Sequence, residues 1–169
     1  MNGNASGANS VGTIALRGLL AGLTGVAAMT AAEKLEQLFT RRPNSFVPAH
    51  TLQRMTRPGG RQDEDNVPDN WAMHWGTGIV LGPLRTLMAS KGMRGPVGSF
   101  IFMNMRLMND QTLENATGVG APPWTWPIDE QVVDILHKAI YAYVTGAVAD
   151  RLVPAPLGLR RLKDAHYYE

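Results

Sequence analysis

The chain contains no cysteine. That excludes disulfides, thiolate zinc sites and a cysteine nucleophile, and it leaves the redox compartment unreadable. Charge is sparse too: 16 Lys and Arg stand against 14 Asp and Glu, a net charge of +2. The basic residues are scattered along the chain, so no nucleic-acid partner is expected. No apolar run reaches the roughly 20 residues that cross a bilayer unaided. The best, residues 18–32, holds fifteen uncharged positions. Catalytic signatures are missing as well. There is no P-loop, no Rossmann glycine pattern opening on a strand, no H-E-x-x-H and no G-x-S-x-G. The sequence therefore names no reaction.

Glycine and methionine, by contrast, are plentiful at 18 and 9 residues. Glycine in helices costs backbone entropy, which is best tolerated where backbones pack closely, as in membrane bundles. A chain of 169 residues is one domain with room for a core. Residues 1–10 read as a disordered lead. Arg17 and residues 18–28 superficially match a signal peptide, but the long uncharged lead and the Gly-rich run argue against one.

Four long helices are expected. The first spans about 11–39, with Gly18, Gly22 and Gly25 near one face and Leu16, Leu19, Leu20, Leu23 and Val26 around the rest. A polar connector, 40–70, carries four prolines and room for a short helix within 48–57. The second helix, 70–90, is expected to be capped by Asp69 or Asn70. It carries Trp71, His74 and Trp75, then repeats the small-residue spacing at Gly78 and Gly82, with Pro83 expected to kink it. The third, 96–117, starts at Pro96 and stops at Gly118. Its first half is apolar. Its second half packs Arg106, Asn109, Asp110, Gln111, Glu114 and Asn115 together.

Residues 119–127 hold three prolines and are expected to be extended, with Trp124 and Trp126 alternating. The fourth helix, 128–153, has Val132, Leu136, Ala139, Tyr143 and Ala147 on one face. Asp134, Lys138, Tyr141 and Thr145 lie on the other, with Asp134 and Lys138 at ion-pair spacing. Residues 154–169 read as a loose tail.

The fold expected is all-α: an up-down four-helix bundle over 11–153 with Gly/Ala helix packing. Leu16-Arg17-Gly18 and Met93-Arg94-Gly95 hint at two related helical hairpins. The glycine ladders of the first two helices resemble those of small, Gly-rich polytopic membrane proteins of unknown function. That resemblance implies a helical membrane protein and transfers no functional residue.

If the helices alternate in direction, one end gathers Glu33, Glu36, His74, Arg106, Asp110, Glu114, Asp129, Glu130, Asp134 and His137, with all four tryptophans. The other gathers Arg17, Lys91, Arg94, Arg151, Arg160, Arg161 and Lys163. Mixed carboxylates and histidines can supply acid and base partners with separated pKa values, which makes Asp110, Glu114, His74 and His137 the catalytic candidates. Glu33, Arg106, Asn109, Trp124, Trp126 and Asp134 are the binding candidates. Each has a plainer reading. Arg106 and Asp110 suit a helix-surface ion pair, carboxylates in a first turn favour the helix dipole, and tryptophans form interface belts. No cofactor is expected. Asp134-x-x-His137 loosely echoes the Glu-x-x-His of carboxylate-bridged bundles, so a non-haem metal at His74, His137 and carboxylates is the minor option.

The leading expectation is an integral-membrane protein in a lipid bilayer, whose Trp-rimmed acidic and His-bearing mouth binds a small molecule or partner. Homo-oligomers through the Gly-x-x-x-Gly faces are part of that expectation. One alternative is a small helical isomerase, cyclase or hydrolase acting on a lipophilic substrate. Another is a soluble, cytoplasmic α-helical interaction domain.

Overall fold

The computed structural model describes residues 10–63 and 65–156. Over these the chain is all-helical: α1 (Val11–Thr40), α2 (Val47–Thr56), α3 (Val67–Ser90), α4 (Gly95–Ala116) and α5 (Ile128–Leu152), with one 3-10 turn at Pro123–Thr125. The long helices fall close to their expected spans because apolar runs, prolines and caps are local signals. Ser10, assigned to the lead, is instead the cap of α1 and accepts a hydrogen bond from Thr13 N at 3.2 Å. Residues 1–9 and 157–169 lie outside the described residues, and with them Arg160, Arg161 and Lys163.

Two boundaries differ from expectation. Helix α3 begins before Asp69, because the Asn66 side chain accepts from Asp69 N at 2.9 Å. Asp69 and Asn70 hold α2 instead. Gln53 Nε2 donates to Asp69 Oδ2 at 3.0 Å, and Ala49 N donates to Asn70 Oδ1 at 3.1 Å. The 119–127 segment is also not extended throughout, since Trp124 sits in the 3-10 turn.

Helices α1 and α3 run antiparallel in close contact. A side-chain carbon at Gly82 would lie 2.0 Å from Gly18 O. One at Gly22 would lie 2.7 Å from Ile79 O, the carbonyl that Pro83, lacking an N–H, cannot cap. The small-residue ladders are thus spent inside the chain, and an oligomer would need another surface. Helix α5 closes on α1 where Gly25 meets Thr145 and Tyr141, and on α4 where Gly146 meets Ser99. Tyr141 Oη donates to Gly78 O at 2.6 Å, tying α5 to α3. Val26, Met29, Met88, Phe102, Met103, Tyr141 and Ala142 form the apolar core.

Arg85 is wholly buried and ion-paired to Asp150 at 3.1 Å. The same carboxylate accepts from Gly95 N at 2.7 Å, and Arg85 also donates to Met93 O at 3.3 Å. Arg94 reaches the carbonyls of Ala89, Asp150 and Val153. These contacts clamp the α3–α4 turn onto the end of α5.

Polar side chains share the interior with the apolar core, and many large apolar ones lie outside. The apolar face of α5 points out, with Val132 58% and Leu136 50% exposed, while Tyr141 and Thr145 on its polar face are fully buried. Leu16 and Leu20 on α1, Val80 on α3 and Val97 and Phe100 on α4 are likewise exposed. Arg85, Thr86, Ser99, Arg106 and His137 are inside. A bundle in water buries its apolar stripe and exposes its charges. By length and composition, α1 and α5 are able to cross a membrane, a test that the core helix of a soluble protein also passes.

Candidate functional site

A cavity of about 450 Å³ opens where the C-terminal parts of α1 and α4 meet the N-terminal parts of α3 and α5. The start of α2 and the segment around Gly120 help to enclose it. Glu33, His74, Arg106, Asp110, Glu114, Asp134, His137 and Trp126 all line it. Two binding candidates do not. Asn109 is not in the wall, and its amide donates to Asp110 Oδ1 at 3.1 Å. Trp124 is 81% exposed and faces away.

The carboxylates are largely committed to cations. Arg106 Nε donates to Asp110 Oδ2 at 2.9 Å, and Lys138 Nζ lies 3.6 Å from the same oxygen while also bonding Asp134. The Arg106–Asp110 pair therefore has the local spacing read from the sequence but sits inside the bundle, not on its surface. Arg106 also stacks its guanidinium 5.0 Å from the centre of the Tyr141 ring, a cation–π contact. Arg42 bridges Glu36 at 3.3 Å and Glu130 at 3.4 Å. Lys34, Arg42, Trp75 and Lys138 line the cavity without having been singled out as site residues. Lys138 had a signal, its spacing from Asp134; Arg42 had none, because only the return of the chain after α1 brings it in.

Glu114 owes its environment to the turn that follows it. Gly118 takes the left-handed conformation (φ 70°), and Val119 N and Gly120 N then fold back to donate to Glu114 O at 3.0 and 3.2 Å. A side-chain carbon at Gly120 would meet Glu114 Cβ at 2.7 Å. Burial under this turn raises the Glu114 carboxyl to about 7. Lys138 and Arg106 oppose the rise, and Asp110 and Asp134 reinforce it.

His74 Nε2 lies 3.0 Å from Thr30 Oγ1, whose own proton goes to Val26 O at 2.8 Å. The hydroxyl oxygen must then accept, so Nε2 carries the imidazole proton. Burial lowers the His74 pKa, with Glu33 opposing, and favours the neutral ring.

No family model, curated protein or solved structure matches the chain. The site must be read from its own geometry.

Four buried polar atoms of wall residues, Arg106 Nη1, Trp75 Nε1, His137 Nε2 and Thr51 Oγ1, have no hydrogen-bond partner among the described residues. Arg106 is 4% exposed and His137 8%. Trp75 stacks on Trp71 with ring centres 5.9 Å apart and planes 6° from parallel. Among the described residues, no three His, Asp or Glu side chains group to hold a metal. The minor metal option thus lacks a donor set, because the carboxylates turn to Arg and Lys instead. What the wall offers is hydrogen-bond donors, one carboxyl able to titrate near neutrality, and an aromatic edge.

Proposed function

We propose that this is an integral-membrane helical protein whose polar end cavity binds a small molecule. The observation that carries the reading is the polarity of the long helices: many large apolar side chains outside, with Arg85, Arg106 and several hydroxyls inside. Lipid, unlike water, favours that arrangement, and intramembrane charges face the bundle and pair with one another, as Arg85 does with Asp150. The layer free of exposed charge comprises residues 18–32, 75–90, 95–105 and 139–149. Its span is about 22 Å on α1 but about 16 Å on α4 and α5 at the usual rise per residue. That falls short of the ~30 Å hydrocarbon core, so Arg17 would extend its stem along the layer toward one interface. Trp71 and Trp124, both exposed, suit the aromatic belt at the other.

The decisive experiment is membrane fractionation of the full chain at neutral pH and after alkaline carbonate washing. The protein should stay with the membrane and need detergent for release. Recovery in detergent-free buffer as a monodisperse species overturns the membrane reading and returns the chain to the soluble interaction domain.

The enzyme reading keeps one favourable observation. Glu114 titrates near neutrality in the same cavity as an unpartnered His137, whereas Asp110 is held between Arg106 and Lys138. Any proton transfer on a lipophilic substrate would fall to Glu114 and His137. If Glu114→Gln and His137→Gln leave turnover of such a substrate unchanged, these residues are not its acid and base.

A further inference from the structure

We propose that the cavity's ligand is a lipophilic monocarboxylate, its head group held by Arg106, His137 and Trp75 and its apolar body against the methionine and aromatic wall. This rests on the reading of the cavity as a small-molecule site and adds to it the chemistry of the occupant.

The argument starts from which polar groups are already satisfied. Asp110 is paired to Arg106 and Lys138, Asp134 to Lys138 and Glu130 to Arg42. Glu33 accepts from Gln37 Nε2 at 3.3 Å. What the wall leaves over is mainly donors. Arg106 Nη1 and Trp75 Nε1 can only donate, His137 Nε2 donates in one tautomer, and Thr51 Oγ1 donates or accepts. The first three come from three different helices, α4, α3 and α5, onto one cavity. A buried donor without an acceptor is costly, so an occupant that supplies acceptor oxygens is favoured over one that does not. A guanidinium with one nitrogen on Asp110 and another buried without a partner gives its strongest bond to an anionic oxygen.

The rest of the wall is mixed, with apolar side chains set among Thr30, Asn44, Asn70 and Thr77. Met29, Phe46, Leu113 and Val133 line it, and the cavity volume lies in the range of small-molecule sites, roughly 300–1,000 Å³. A cationic amphiphile would face Arg106 and Lys138, with Glu33 and Glu114 the wall carboxyls not held by an arginine or by Lys138. An uncharged one would offer Arg106 Nη1 a weaker acceptor than a carboxylate oxygen.

The test uses the full chain in detergent micelles and three probes with the same brominated C18 chain, ending in a carboxylate, an alcohol or an amine. Bromine quenches tryptophan fluorescence, and Trp71, Trp75 and Trp126 line the cavity. The acid should quench saturably, be displaced by unlabelled stearate, and bind at least tenfold more tightly than the other two. Arg106→Gln should weaken it at least tenfold. Trp75→Phe, which keeps an aromatic ring beside Trp71 but loses the N–H together with part of the indole, should weaken the acid severalfold more than the alcohol and decides the matter if Arg106→Gln does not fold. Equal binding of all three probes, tighter binding of the amine, or a folded Trp75→Phe protein that weakens the acid no more than the alcohol overturns the head-group assignment while leaving the cavity a binding site. Linear, non-displaceable quenching by every probe means that they enter only the micelle. In that case the small-molecule reading of the cavity falls as well.

Discussion

Arg85 on α3 and Asp150 on α5 meet at 3.1 Å with the guanidinium wholly buried, and the same carboxylate caps the first N–H of α4. One ion pair thus fixes three helices at the end of the bundle opposite the cavity. Removing one partner strands the other. Asp150→Ala should cost about 3–5 kcal/mol, and the double substitution Arg85→Met, Asp150→Leu should recover much of it by replacing charge with packing. Unfolding by denaturing detergent, followed by circular dichroism, measures both. A single variant as stable as the parent would show that water or lipid headgroups reach Arg85.

The α1–α3 contact predicts opposite results at two glycines of one helix. Gly82→Ala drives a carbon to within 2.0 Å of Gly18 O and should destabilise by about 1–3 kcal/mol. Gly76→Ala meets nothing within 4 Å. It should be neutral or stabilise by up to ~1 kcal/mol through backbone entropy. The same unfolding titration distinguishes them, and equal effects would mean the two helices do not pack at this register.

Glu114 should make stability fall as pH rises from 4.5 to 7. Its carboxyl is held near 7, first by burial, against an ordinary value of 4.5. Across that window the unfolded chain gives up the proton while the folded protein keeps it, so folding binds a proton and raising the pH opposes it. Lys138 and Arg106 limit the effect, and Asp110 and Asp134 enlarge it. Glu114→Gln should flatten the pH dependence in this window relative to the parent. An unchanged slope would place Glu114 in solvent.

Two asparagines should separate helix capping from docking. Asn66→Ala removes the cap of α3 and should cost about 1 kcal/mol. Asn70→Ala removes the acceptor for Ala49 N and should speed amide exchange across residues 47–56 with α3 intact. Exchange that rises equally in both helices would mean that α2 and α3 open together.

The 66–70 segment shows how far local reasoning reaches. Asn66, Asp69 and Asn70 are all competent caps, and nothing within the segment ranks them. The choice falls to Asn66 because α2 recruits the other two side chains, a contact across 16 to 21 residues. The same limit governs Trp124 and Trp126. Their alternation suggests one shared environment, yet the 3-10 turn sends Trp124 outward, while Trp126 Nε1 bonds Ala121 O at 2.8 Å.

What the sequence determined alone is what nearest neighbours along the chain decide: the helical spans, the glycine ladders, the Arg106–Asp110 spacing and the polar density of late α4. These depend on periodicity, caps and prolines, whose energies are settled within a turn or two. Tertiary structure decided which face of each helix looks inward and which charges find partners. Amphipathicity alone is symmetric in that respect: α5 has an apolar and a polar face whichever medium surrounds it. The inward turn of Tyr141 and Thr145, the burial of Arg85 and the unpartnered donors of Arg106, Trp75 and His137 arise only when distant helices meet.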